Sequence, residues 1–128
     1  MFVFKHRDLY ALMCVRFVLR LNILHQANLD DKNSYGNSAL HLAAGKGNKN
    51  IATQLLQANA QPTALDNDGQ TALHWAAGNG REAVVDLLLE ANADPKIVSK
   101  DGYTAAKYAE IGGHAALAKR LSEAEARL

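Results

Sequence analysis

The chain has 128 residues, of which 48% are hydrophobic and 21% charged, with a formal net charge of +1. These values predict a single globular domain. Lysine and arginine are interleaved with aspartate and glutamate, whereas nucleic-acid-binding proteins usually gather basic residues on one face. We therefore expect no nucleic-acid partner.

The first twenty residues are rich in apolar side chains, but charged residues interrupt them. A membrane span needs about 20 predominantly apolar residues, and a signal peptide needs a clean apolar run before a small-residue cleavage site. The segment has neither, so we expect no membrane association. It is also basic and poor in acidic residues, which leaves a mitochondrial presequence open. The interrupting residues are Lys5, Arg7, Asp8, Arg16 and Arg20.

Cys14 is the single cysteine of the chain. It cannot form an internal disulfide, which favours a reducing compartment, so we expect a cytoplasmic or nuclear protein. Because Cys14 lies between Met13 and Val15, an inert buried thiol is more plausible than a reactive one.

A period of 33 residues dominates the remainder of the chain, with Gly36, Gly69 and Gly102 in register. Such a period indicates stacked repeats, each a unit that cannot bury its apolar face alone. The same register relates residues 39–41 to 72–74, 55–56 to 88–89, and 59–62 to 92–95.

One repeat has the signals of a turn followed by two helices. Gly69 lies where a tight turn requires a positive φ, and Thr71 is placed to cap a first helix, as Ser38 and Thr104 are in their repeats. That helix should end near Gly80. A second helix from about residue 81 to 90 has an apolar arc wider than one face, which indicates burial within a stack.

The segments Ser-Ala-Leu-His-Leu-Ala-Ala at 38–44 and Thr-Ala-Leu-His-Trp-Ala-Ala at 71–77 closely resemble the ankyrin-repeat signature. Ala39, Ala72 and Ala105 stand where that family usually has proline, and alanine is the best helix former. The resemblance covers about residues 15 to 121. It implies an all-α fold, an ankyrin-repeat solenoid of stacked helix-turn-helix units with hairpin-like finger loops.

We divide this single ankyrin-repeat domain into a degenerate N-terminal repeat (1–31), two regular repeats (32–64 and 65–97) and a C-terminal capping repeat (98–128). Glu110 and Ser122 stand where earlier repeats have alanine and leucine, which makes the last face polar, as a cap requires. Leu19, Ile23 and Leu24 have the spacing of a second helix. The alternative is an incomplete start in which residues 1–14 are disordered.

His41 and His74 recur with the period, which argues against metal binding. A stack places equivalent side chains about 10 Å apart, whereas zinc ligands lie about 2 Å from one ion. The resemblance implies a structural role instead, in which each histidine bonds the cap and a neighbouring loop. Lys107 replaces the third histidine, so the last turn should be less tightly fixed. We predict no metal, no cofactor and no catalytic residue.

The apolar residues Leu42, Trp75 and Tyr108 share a register position opposite the core-facing stripe of the first helix. Two interpretations stay open. They pack between neighbouring repeats, or they line a partly exposed groove, since Trp and Tyr are enriched in interface hot spots.

The resemblance also implies a function. Ankyrin-like modules usually bind proteins through their finger tips and first helices, so we expect a non-enzymatic, monomeric protein-protein interaction module, for example a scaffold. The alternatives are a small regulatory or ligand-binding subunit, or a fragment of a larger ankyrin array. The predicted contact residues are Tyr35, Asn37, Lys46, Asn67, Gln70, Trp75, Asn79, Lys100, Tyr103 and Tyr108.

Overall fold

The computed structural model describes residues 31–127. This range holds helices and turns and no β-strand, so the predicted all-α fold is confirmed. The predictions for residues 1–30, namely the degenerate repeat, its disordered alternative and the buried Cys14, lie outside the described part. The helices are α1 (Ala39–Lys46), α2 (Lys49–Gln57), α3 (Ala72–Gly78), α4 (Glu82–Glu90), α5 (Ala105–Ile111) and α6 (Ala115–Ala126).

All three predicted caps are present. Ser38, Thr71 and Thr104 have extended backbone angles, and each hydroxyl accepts a hydrogen bond from the backbone N–H of the third helical residue. Each cap therefore satisfies one of the amides that the first turn of a helix leaves unpaired.

The helices end in two different ways. Gly47, Gly80 and Gly113 follow the first helices with φ of 75°, 69° and 82°, as expected for turn glycines. The second helices α2 and α4 are followed instead by Asn59 and Asn92, two residues past the last helical residue, with φ of 71° and 66°. Asparagine tolerates this left-handed conformation better than other non-glycine residues, a role that the sequence analysis did not assign.

The core runs along the stack rather than gathering at one centre. Helix α1 packs on α3 and α3 on α5, while each first helix packs on the second helix of its own repeat. Alanines dominate the buried face of the first helices, so those helices approach closely, and the second helices add larger side chains. The larger buried residues of α4 and α6 are Val84, Val85, Leu88, Leu117 and Leu121.

The turns before the first helices form three hairpin-like fingers: finger 1 (33–37), finger 2 (66–70) and finger 3 (99–103). In finger 2 the Asp66 N–H donates to the Gln70 carbonyl at 2.9 Å, and the Gly69 N–H donates to the Asp66 carbonyl at 3.0 Å. The other two fingers repeat both bonds. Gly36, Gly69 and Gly102 have φ of 79°, 73° and 84°, so each tip needs its glycine.

Adjacent fingers are also bonded to each other. The backbone N–H of Asn67 donates to the Tyr35 carbonyl at 3.3 Å, and that of Lys100 donates to the Asp68 carbonyl at 2.9 Å. The fingers therefore form one ribbon beside the layer of first helices. Within residues 31–127 no helix is long and apolar enough to cross a membrane.

Candidate protein-binding surface

The two periodic histidines join each first helix to the next finger. In repeat 32–64, the N–H of Ser38 donates to Nδ1 of His41 at 3.2 Å, and Nε2 of His41 lies 2.8 Å from the Gln70 carbonyl. A carbonyl only accepts, so Nε2 carries the proton and Nδ1 is the acceptor. His74 repeats the arrangement with Thr71 (3.0 Å) and the Tyr103 carbonyl (3.1 Å). The predicted structural role of both histidines is confirmed.

Burial favours the neutral form of both imidazoles. His41 and His74 are 1% and 2% exposed, and desolvation lowers the pKa of each below the ordinary value of 6.5. The hydrogen bond to the carbonyl of the next finger and the charge of Asp66 oppose that shift without cancelling it. A protonated ring would also turn an N–H at Nδ1 toward the backbone N–H of the cap.

Trp75 packs on the preceding repeat. Its ring meets the His41 ring edge-on with centroids 6.0 Å apart, and a Cβ on Gly45 would lie 2.8 Å from the indole. The indole N–H donates to the Asp66 carboxylate at 2.9 Å. These contacts favour packing between repeats over an open groove at this position.

Tyr108 occupies the same register position one repeat later and also packs on the preceding repeat. Its ring lies 5.3 Å from His74 and 5.9 Å from Tyr103, edge-on in both cases. Its hydroxyl accepts from the Gln70 amide at 3.2 Å and lies 3.1 Å from the Ser99 hydroxyl. Trp75 and Tyr108 are half-buried, so a direct role in binding stays a prediction for both.

The predicted finger-tip residues differ in what their side chains do. Tyr35 is 73% exposed and Tyr103 is 39% exposed, so these two present the largest aromatic surface at the tips. Lys100 is exposed, and Asn37 is half-buried. The Asn67 amide donates to the Ser34 carbonyl at 3.3 Å, which ties it to the neighbouring finger.

The predicted residues on the first helices lie at the ends of α1 and α3. Lys46 and Asn79 are both exposed. The Asn79 amide donates to the Trp75 carbonyl one turn earlier, at 2.8 Å. The first-helix layer thus offers a polar edge beside the half-buried Trp75.

Two polar residues that organise this surface were not among the predicted contact residues. Asp66 is 8% exposed, and one of its oxygens accepts from the backbone N–H groups of Asp68 (2.9 Å) and Gln70 (2.8 Å). Arg81 donates from Nε to the Gly45 carbonyl at 3.2 Å, across the repeat boundary. A signal for Asp66 was present, because Asn33, Asp66 and Ser99 share a register position and are all turn-stabilising types.

Two features of the described residues bear on the ligand-binding alternative. Among residues 31–127 no group of three or more His, Cys, Asp and Glu side chains is placed to hold a metal ion. A cavity of about 290 Å³ lies between the loop after α4 and the end of α6. Small-molecule sites usually occupy about 300–1,000 Å³ and carry convergent polar groups. The cavity is lined by Leu89, Asn92, Ala93, Asp94, Pro95, Ala124 and Arg127.

Comparison with known proteins identifies the class of this repeat stack. The family model for ankyrin repeats in three copies matches residues 10–99 and 60–128. The chain belongs to the ankyrin-repeat family, and the resemblance of the two histidine-containing segments is confirmed. Ankyrin repeats are generally protein-protein interaction modules and are typically non-catalytic. No curated protein matches the sequence.

Proposed function

We propose that this chain is a non-catalytic module that binds another protein through its finger tips and the adjoining surface of the first helices. The observation that carries the proposal is the contrast between fixed fingers and exposed tips. The finger backbones are held by hydrogen bonds, whereas Tyr35 and Tyr103 project large aromatic surface from fingers 1 and 3.

Aromatic side chains on a rigid support suit binding. Tyrosine offers a large amphipathic contact area and loses little conformational entropy when it is immobilised. A preorganised backbone further reduces the entropic cost of association. Between the two tyrosine tips, finger 2 presents the exposed Asp68, so the contact surface would combine aromatic ends with a polar centre.

The proposal is tested by affinity capture from cell extract. The bait is the intact chain, and the comparison bait carries Tyr35→Ala with Tyr103→Ala. A matched control is Ile51→Ala, which removes a large exposed side chain (47%) from the second-helix side of the molecule. We expect a protein retained by the parent and the control and lost from the tip variant. Equal retention by all three baits would reject the finger tips as the binding surface.

A further inference from the structure

Fingers 2 and 3 are each tied to their own first helix by one aromatic side chain nine residues along the chain. In finger 2 the Trp75 indole N–H donates to Asp66 at 2.9 Å. In finger 3 the Tyr108 hydroxyl lies 3.1 Å from the Ser99 hydroxyl. Because each aromatic ring also packs on the preceding repeat, each of these fingers is fixed to the helix layer.

Finger 1 cannot form this tie. The register equivalents are Asn33 and Leu42, and a leucine side chain has no polar atom to bond. The Asn33 amide oxygen instead accepts from the backbone N–H groups of Tyr35 (2.9 Å) and Asn37 (3.0 Å). These bonds hold the shape of the turn, but they do not hold the turn against α1.

Asn67 of finger 2 makes two contacts that do hold finger 1. Its backbone N–H donates to the Tyr35 carbonyl and its side-chain amide to the Ser34 carbonyl, both at 3.3 Å. It also lies directly against Gly36, where an added Cβ would clash with the Asn67 side chain and backbone N–H. Two bonds and a close steric contact therefore meet at one residue of the neighbouring finger.

We propose that finger 1 takes its position from finger 2, with Asn67 acting as the positioning residue for the exposed Tyr35. The effect on binding rests on the proposed function: if a partner binds at Tyr35, its affinity depends on how finger 2 holds finger 1. It also reassigns Asn67, which the sequence analysis placed among direct contact residues.

Two proline variants form a matched test of this dependence. Asn67 and Lys100 are each the second residue of a finger turn, and neither has a positive φ. Proline is favoured there in a type I turn and donates no N–H. Asn67→Pro removes both bonds to finger 1. Lys100→Pro removes the equivalent backbone bond between fingers 3 and 2, but Trp75 and His41 still hold finger 2.

The measurement is backbone ¹⁵N relaxation on the intact chain, which needs no binding partner. In the parent we expect order parameters of about 0.85 in fingers 1 and 2, typical of rigid backbone. In Asn67→Pro, residues 34–36 should fall below about 0.6, while in Lys100→Pro residues 67–70 should stay near about 0.85. Unchanged finger 1 values in Asn67→Pro, or an equal loss in finger 2 of Lys100→Pro, would overturn the proposal. Should Asn67→Pro lack a cooperative melt, Asn67→Ala decides instead: it removes the bond to Ser34 and keeps the backbone bond to Tyr35, so the order parameters of residues 34–36 should fall below those of the parent, and unchanged values would overturn the proposal.

A binding cycle separates positioning from direct contact. The probe is a twelve-residue peptide selected on the parent chain from a random library and kept when Tyr35→Ala weakens it at least tenfold. Asn67→Pro should weaken binding of this peptide about threefold or more. In a chain that already carries Tyr35→Ala, the same substitution should cause no further loss of affinity. Additive effects would show that Asn67 contacts the peptide itself and would reject the positioning role. If no selected peptide depends on Tyr35, the proposed function fails at this tip, while the relaxation data still decide the positioning.

Discussion

At the scale of single residues, the most consequential contact is the bond from the half-buried Trp75 indole to the buried Asp66 carboxylate, 2.9 Å long. Trp75→Phe should keep much of the ring packing but leave one Asp66 oxygen unpaired, at a cost of about 1–3 kcal/mol. Trp75→Ala also removes the packing on the preceding repeat and should cost about 3 kcal/mol or more. Urea unfolding measures both values.

The same substitution distinguishes the two interpretations of the Leu42, Trp75 and Tyr108 column. Tyr35→Ala serves as the control, since an exposed tip residue should change stability by about 0.5 kcal/mol or less. A Trp75→Ala variant of normal stability that no longer binds a captured partner would instead favour the open groove.

The two buried histidines should make the fold sensitive to mild acid. Their pKa is lowered in the folded state, so the unfolded chain binds more protons once the pH falls below about 6.5. The stability that the fold gains with both histidines neutral is complete above that pH, and it is lost as the pH falls further. The denaturant concentration at the unfolding midpoint should therefore be lower at pH 5.5 than at pH 7.5. The control His114→Gln removes a half-buried histidine and should show the same loss of stability between pH 7.5 and 5.5. If that loss vanished in the control, the assignment of the pH dependence to His41 and His74 would be contradicted.

At the scale of elements, the fingers allow a paired glycine test. Gly36 and Gly102 have φ of 79° and 84°, so alanine at either position should cost about 1–2 kcal/mol for the left-handed backbone. Only at Gly36 would the new Cβ also meet a neighbour, because nothing lies within 4 Å of one at Gly102. Gly36→Ala should therefore lower the melting temperature more than Gly102→Ala, and equal losses would show that fingers 1 and 2 do not touch.

Local elements were predictable because their signals are local. The start of each first helix is marked by a cap hydroxyl at 38, 71 or 104, and the end of each first helix by a turn glycine. The apolar pattern of the second helices indicates which residues pack in the stack. The contacts that hold the fingers were less accessible, since the bond from Trp75 to Asp66 within one repeat and the bond from Asn67 to Ser34 between repeats both depend on side-chain geometry. The sequence placed Asn67 and Tyr35 together among the tip contacts, whereas the structure ties the Asn67 amide to a neighbouring finger and leaves the Tyr35 ring 73% exposed.

At the scale of the whole molecule, the C-terminal end is a candidate cap. Glu110 and Ser122 are both exposed, whereas Ala44 and Ala77, the register equivalents of Glu110, are fully buried. Glu110→Ala combined with Ser122→Leu should create an apolar end face and promote self-association. Analytical sedimentation would measure this self-association. The control variant combines Lys119→Ala with Glu123→Ala, which leaves the net charge of the parent unchanged. A monomeric test variant at high concentration would mean that something already covers the end face.

The central claim, protein binding through the tyrosine finger tips, is tested most directly by calorimetric titration of a captured and purified partner. Replacing both Tyr35 and Tyr103 by alanine should raise Kd at least about 30-fold, since hot-spot truncations cost about 2 kcal/mol or more. The melting temperature should stay close to that of the parent, and Ile51→Ala should bind like the parent. An unchanged Kd in the double tyrosine variant, with the partner still bound at one site, would contradict the claim and move the interface to the second helices or to residues 1–30.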